Sequence, residues 1–188
     1  MKRCSIFIHS QDGNNFIIGN AFKDELEKHE FEVRFYRVED SSLHILANTN
    51  EMVNQYYEEI NSLPIGSLSA IEKSDLVLLG SPVLFGNVTS QMKMFMDTAL
   101  PDVESKIFSA KHFACFVSGQ ERPDNCIRAL ESMICWGSEL SMIHIPFTGE
   151  PKQGLIHFSG RDGKIRPSEE LGKQIVEYVR IFKKALYQ

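Results

Sequence analysis

Three short segments of this 188-residue chain combine turn-forming residues with side chains suited to binding rather than packing. The first is Ser10-Gln11-Asp12-Gly13-Asn14-Asn15, between an apolar run and a helix-spaced one. Its glycine permits a sharp turn, and its hydroxyl and amides donate hydrogen bonds. Successive backbone N–H groups opening a helix favour an anion, phosphate above all. The segment holds no lysine or arginine, so neutral donors would do this work. Neither GxGxxG nor GxxxxGK[ST] is present, which excludes a Rossmann dinucleotide fingerprint and a nucleotide P-loop. A plain strand-to-helix turn, with Ser10 or an asparagine as cap, is the alternative. Asp12 bears on the choice, because a carboxylate beside a phosphate is unfavourable unless it points away.

The second segment is Gly80-Ser81-Pro82-Val83-Leu84-Phe85-Gly86-Asn87-Val88. An apolar strand ends here in small residues and a proline, followed by three apolar side chains where a loop should be polar. Val83, Leu84 and Phe85 therefore need something apolar to touch, either a flat aromatic ligand or the core and a subunit interface. The third segment, Ser118-Gly119-Gln120-Glu121-Arg122-Pro123, has small residues that allow a ligand close to the backbone, with a simple turn as the alternative.

Loops of this kind need a rigid frame. Cys4–His9, Phe31–Arg37, Asp75–Gly80, Lys111–Ser118 and Leu140–Phe147 are short apolar segments bounded by turn residues. The first, third and fourth are nearly continuous apolar runs, as strands covered on both faces must be; the second alternates like an edge strand. Between them apolar residues recur at helical spacing: Phe16, Ala21, Phe22 and Leu26, then Met92, Phe95 and Met96, then Ile127, Leu130, Ile134 and Trp136. Trp136 reads as helix packing. A last helix is expected from about Ser168, which follows Pro167 as its cap, with Leu171, Ile175, Val179, Phe182 and Leu186 on one stripe.

Strands alternating with helices predict βαβ units in an α/β, three-layer doubly wound domain over residues 1–188. Ser41–Pro64 is expected to hold one amphipathic helix. Residues 148–166 are expected to form a long glycine-rich loop with a small hairpin around Asp162-Gly163. In an open α/β sheet, ligands bind outside the carboxyl ends of the strands. All three segments leave those ends, so they would converge on one crevice.

Composition narrows the function. Hydrophobic residues make up 43% and charged ones 24%, which fits a globular domain and excludes disorder and collagen. A net charge of −5 argues against non-specific binding to nucleic acid or an anionic membrane. Cys4, Cys115, Cys126 and Cys135 lack the spacing of zinc or iron–sulfur ligands, and the histidines are scattered, so no metal is expected. There is no signal-peptide pattern and no apolar stretch near the ~20 residues of a membrane span; a cytoplasmic setting is expected.

On these residues the chain resembles flavodoxin-fold proteins, and more closely the WrbA-type NAD(P)H:quinone oxidoreductases, the multimeric flavodoxins. Gly80–Asp97 (GSPVLFGNVTSQMKMFMD) is similar to that family's flavin-loop pattern: a small residue, proline, two variable residues, Phe-Gly-Asn, then Gln-Met-Lys and a helical Phe-x-Asp. Ser10 and Gly13 match its phosphate loop, and Asn14 resembles the general flavodoxin loop. The resemblance implies a five-stranded parallel sheet in order 2-1-3-4-5 and non-covalent FMN. Ser10, Gln11, Asp12, Gly13, Asn14 and Asn15 would hold the FMN phosphate. Ser81 to Asn87 would frame one side of the isoalloxazine, and Ser118, Gly119 and Gln120 the other. The resemblance also implies electron delivery from NADH or NADPH to a quinone or similar small acceptor, in a homodimer or homotetramer. No catalytic side chain is assigned, because the flavin carries the chemistry. A one-electron flavodoxin carrier and a non-catalytic protein that has lost FMN are the other readings this fold allows.

Overall fold

Period-two alternation in the strands builds two cores, one on each face of a single sheet. The computed structural model describes residues 1–120, 122–159, 163 and 168–187. In β1 (Lys2–Ile8), Cys4, Ile6 and Ile8 point to one face and Phe7 to the other. In β3 (Leu76–Leu84), Leu76 and Leu78 oppose Val77 and Leu79 in the same way. β5 (His112–Gly119) splits into Ala114 and Phe116 against Phe113, Cys115 and Val117. Both sets are buried, which is why these strands read as unbroken apolar runs.

Helices cover each face through their own apolar stripes. α1 (Asn14–Lys28) contributes Ile18, Phe22 and Leu26 to the first core. α8 (Glu169–Tyr187) adds Leu171, Ile175, Tyr178, Val179 and Phe182, with Leu186 at the edge. The second core takes Met92, Phe95 and Met96 from α6 (Ser90–Asp97). It also takes Cys126, Ala129, Leu130 and Met133 from α7 (Pro123–Glu139). Trp136 packs against this core and donates Nε1–H to the Met96 carbonyl at 2.8 Å. Ser168 caps α8, its Oγ accepting the Leu171 N–H at 3.1 Å.

With β2 (Phe31–Arg37) at one edge and β6 (Ile143–His144) at the other, the strands lie in the order β2-β1-β3-β5-β6. All of these neighbours pair in parallel. Apart from the antiparallel β4 (Asn87–Val88) and from β7 (Leu155–Phe158), which also pairs with β5, this is the doubly wound order 2-1-3-4-5.

Three segments depart from the expected map. The fifth strand lies within Leu140–Phe147 but is much shorter. Only β6 (Ile143–His144) pairs there, against His112 and Phe113, and β7 (Leu155–Phe158) takes up the same edge of β5 from Phe116 to Gly119. Four residues inside a glycine-rich stretch were too few to show a strand period. The hairpin expected around Asp162-Gly163 falls outside the described residues except for Gly163, as does Pro167. Ser41–Pro64 is not one helix but three: α2 (Leu43–Thr49), α3 (Glu51–Asn54) and α4 (Tyr57–Ser62), with α5 (Leu68–Glu72) after them. Asn50 is the cause, since its backbone is extended and its side chain accepts the Met52 and Val53 N–H groups at 3.0 and 3.4 Å. That cap starts a new helix instead of continuing the old one. Finally, Ser81 to Leu84 are strand rather than loop, because β3 runs on to pair antiparallel with β4 (Asn87–Val88).

Tyr178 is 1% exposed, and its O–H donates to the Ile145 carbonyl at 2.8 Å while its ring packs on Phe147 and Phe182. Tyr178→Phe keeps the ring and leaves that carbonyl without its partner. It should lower unfolding free energy by about 1–2 kcal/mol, read as a reduced urea midpoint with an unchanged slope.

Candidate functional site

A crevice of about 510 Å³ opens at the carboxyl ends of β1, β3 and β5, within the usual range for small-molecule sites. Asp12 and Asn14 line it from the first segment and Pro82, Val83, Leu84, Phe85 and Gly86 from the second. Ser118, Gly119 and Gln120 complete it from the third. The fold thus brings the three segments to one place. Ser10, Gln11, Gly13, Asn15, Ser81 and Asn87 do not line it; they hold its walls.

The second wall is a tight hairpin. Val83 pairs with Val88 and Leu84 with Asn87, leaving Phe85 and Gly86 as the two-residue turn. Both have positive φ, 52° and 77°, as a type I′ turn demands. Glycine adopts that conformation freely, whereas Phe85 does so at a steric cost. Its ring is wholly exposed and Leu84 is 49% exposed, so the crevice keeps an apolar wall that the chain itself does not cover. Ser81 is buried behind this wall and accepts the Thr89 N–H at 3.1 Å. Asn87 accepts the neighbouring Val88 N–H at 2.8 Å, which closes the turn.

The first wall is a hydrogen-bonded knot. Gly13 (φ 87°) opens α1 under the ring of Tyr56, and any Cβ at residue 13 would land on that ring. Asp12 accepts the Asn14 backbone N–H at 3.1 Å and Asn14 Nδ2 at 2.8 Å. Asn14 Nδ2 also donates to the Gly163 carbonyl at 2.8 Å. Asn15 Nδ2 donates to Ser118 Oγ at 2.9 Å and so joins the first segment to the third. Ser10 Oγ accepts the Phe16 N–H at 3.3 Å. Burial pushes the Asp12 carboxyl above its ordinary range, with the Asn14 donors and nearby His9 offsetting part of the rise.

Behind the knot, Asp40 is a hub. His9 Nε2 donates to its carboxylate at 3.0 Å and Gln11 Nε2 at 3.3 Å, while Ser42 donates from both N and Oγ at 2.9 and 2.6 Å. Burial alone would raise this carboxyl, but the four hydrogen bonds outweigh burial and hold it well below the usual carboxylate range. With Nε2 turned to Asp40, His9 Nδ1 is buried without a partner among the described residues.

Six crevice residues were not singled out as ligands from the sequence: Met52, Arg122, Asn125, Cys126, Ser159 and Gly163. Met52 arrives because Asn50 turns the chain there, and no spacing in the sequence announces it. Cys126 lies directly under Gly119, where a Cβ would press on its sulfur. Ser159 donates its N–H to the Gly119 carbonyl at 2.9 Å, extending β7 to the crevice edge.

A family model described as NADPH-dependent FMN reductase matches residues 8–148, a span that contains all three segments. Among curated proteins, the chain is 29% identical over 97 residues to an NAD(P)H dehydrogenase (quinone) of Archaeoglobus fulgidus, covering 52% of this chain and 51% of that one. It is 31% identical over 126 residues to an iron–sulfur flavoprotein of Methanocaldococcus jannaschii, covering 62% and 65%. The chain therefore spans about half to just under two thirds of the length of these relatives. Among solved structures, a WrbA-like flavodoxin from Agrobacterium tumefaciens matches with a TM-score of 0.71 at 12% identity over 98% of both chains. A flavodoxin from the domain Archaea matches at 0.65 and 14% over 99% of both. At such identities the likeness is one of fold.

The Asp40 hub predicts an acid-sensitive contribution to stability. A carboxyl depressed in the folded state stabilises fully above its unfolded value of about 3.9 and loses that contribution as pH falls toward the folded value. Asp40→Asn should be less stable than wild type at pH 7, by about 1–3 kcal/mol. In denaturant titrations the gap should close as pH drops below about 4.

Proposed function

Because the chain belongs to the NADPH-dependent FMN reductase family, we propose that it is a flavin-dependent oxidoreductase, holding FMN or the same ring without its phosphate, that accepts a hydride from NADH or NADPH and passes two electrons to a quinone or similar small acceptor. The observation that carries this reading is the convergence of the three segments on one crevice with an uncovered apolar wall. A flat ring suits the space between that wall and Gly119, which presents no side chain. Ser81 to Asn87 would bound the ring on one side and Ser118, Gly119 and Gln120 on the other. Ser10 to Asn15 would face the tail. Asn14 Oδ1 is buried there without a partner among the described residues, as an acceptor awaiting a ligand hydroxyl would be. Asp12 is the exception to the fit, since it already holds donors that a phosphate would use.

Bound flavin supplies hydride acceptance and two-electron transfer. The chain's own residues orient and shield. The Asn15–Ser118 bond fixes the spacing between the tail segment and the ring segments. Val83, Leu84 and Phe85 keep water from one face, which strengthens polar contacts at the ring edge. We assign no side chain as general acid or base. The named activity of the Archaeoglobus relative supports a quinone acceptor. A single flavin-binding domain over residues 1–188, a homodimer or homotetramer, and a cytoplasmic setting belong to the same reading. The free thiols Cys4, Cys115, Cys126 and Cys135 suit a reducing compartment.

The test is NADH and NADPH oxidation by purified protein with and without added flavin, FMN or riboflavin, and a soluble quinone. Turnover that requires both flavin and quinone is the expected result. No flavin-dependent oxidation with either nucleotide would contradict it. Flavin that binds but is not reduced by either nucleotide would point instead to an electron carrier. Phe85→Asp places a charge on the ring wall without disturbing the core. It should lower kcat/KM by about tenfold while leaving the thermal midpoint unchanged or slightly raised, since Asp tolerates positive φ better than Phe.

A further inference from the structure

At the tail end of the crevice, donors that an anion would use are already taken. One Asp12 oxygen takes the Asn14 backbone N–H at 3.1 Å, and the other takes Asn14 Nδ2 at 2.8 Å. The remaining Asn14 Nδ2 hydrogen goes to the Gly163 carbonyl. In the next turn of α1, the Phe16 N–H goes to Ser10 Oγ and the Ile17 N–H to the Gly13 carbonyl at 2.9 Å. Among the described residues, Asn14, 1% exposed, keeps its Oδ1 without a partner. Residues 10–15 contain no lysine or arginine to attract a second negative charge. The start of α1 thus favours an anion and already holds one of the chain's own.

We propose that Asp12 acts as an internal anion at the phosphate position, so that the crevice selects flavins whose ribityl tail ends in a hydroxyl over flavins whose tail ends in phosphate. This rests on the flavoprotein reading of the same crevice and deepens it. A hydroxyl tail can donate to the Asp12 carboxylate and to Asn14 Oδ1, both of which lack a ligand donor. A phosphate offers only acceptors where the Asn14 donors are already taken, and its charge faces the Asp12 carboxylate at close range. It must displace or neutralise Asp12 before it can reach the Asn14 N–H. Selection of this kind works by building the repulsive element against the wrong ligand. Burial raises the tendency of Asp12 to hold a proton, as it should for a carboxylate whose hydrogen bonds offset its burial only in part.

Direct titration of the full-length protein with riboflavin and with FMN, followed by quenching of flavin fluorescence, tests the assignment. Wild type should bind riboflavin at least as tightly as FMN. Asp12→Asn, which can still accept the Asn14 N–H, should tighten FMN binding by about tenfold or more and change riboflavin binding by less than about threefold. Asp12→Ser should act in the same direction, which guards against a local defect in either variant. Wild type that prefers FMN by about tenfold, with the preference unmoved in both variants, would overturn the assignment while leaving the flavoprotein reading intact. Failure of every variant to bind either flavin would overturn the flavoprotein reading, and this assignment with it.

Discussion

β3 runs parallel to β1 on one side and to β5 on the other, with Leu76 to Gly80 and Leu76 to Pro82 in register with them. That pairing positions everything else. It points three carboxyl ends the same way, so the chain must leave the sheet from one edge three times within a few ångströms. It also buries both faces of the central strands, which fixes the helices and forces polar groups out to that edge. The crevice is what remains between the three departing segments.

Having been brought together, the segments are tied by hydrogen bonds rather than by packing. Asn15 to Ser118 links β1's loop to β5's, and Ser159 to Gly119 links β7 to the same point. The Asp40 hub supports the first loop from beneath through His9 and Gln11. Polar side chains inside a low-dielectric edge are costly unless paired, so this network resists rearrangement where it is complete. Among the described residues it is incomplete at His9 Nδ1, Asn14 Oδ1 and Asn15 Oδ1; of these residues Asn14 lines the crevice, as do the exposed Leu84 and Phe85. The polar end and the apolar wall therefore call for different parts of one ligand.

Much of this was legible from residue types alone. The strands that are covered on both faces were readable as unbroken apolar runs, and α8 as a stripe ending at a Ser168 cap. The three crevice segments stood out because each had the wrong composition for an ordinary loop. What escaped was decided by contacts that sequence spacing does not encode. Pro82 and Gly86 suggested a loop, yet Val83 and Leu84 find strand partners in Asn87 and Val88 and make a hairpin instead. Asn50 broke the expected helix because its side chain preferred two backbone N–H groups to helical continuation. For Asp12, the sequence raised the question of which way a carboxylate would point, and only the fold answers it: inward, onto Asn14.

The central claim is that three separate segments hold one flavin. Amide hydrogen exchange of the protein, measured alone and with saturating riboflavin or FMN, reads this directly. Exchange should slow together in the peptides covering Asp12 to Phe16, Pro82 to Val88 and Ser118 to Gln120, and remain unchanged along the outer face of α8. Protection confined to one of those segments, or appearing on α8 instead, would contradict the account.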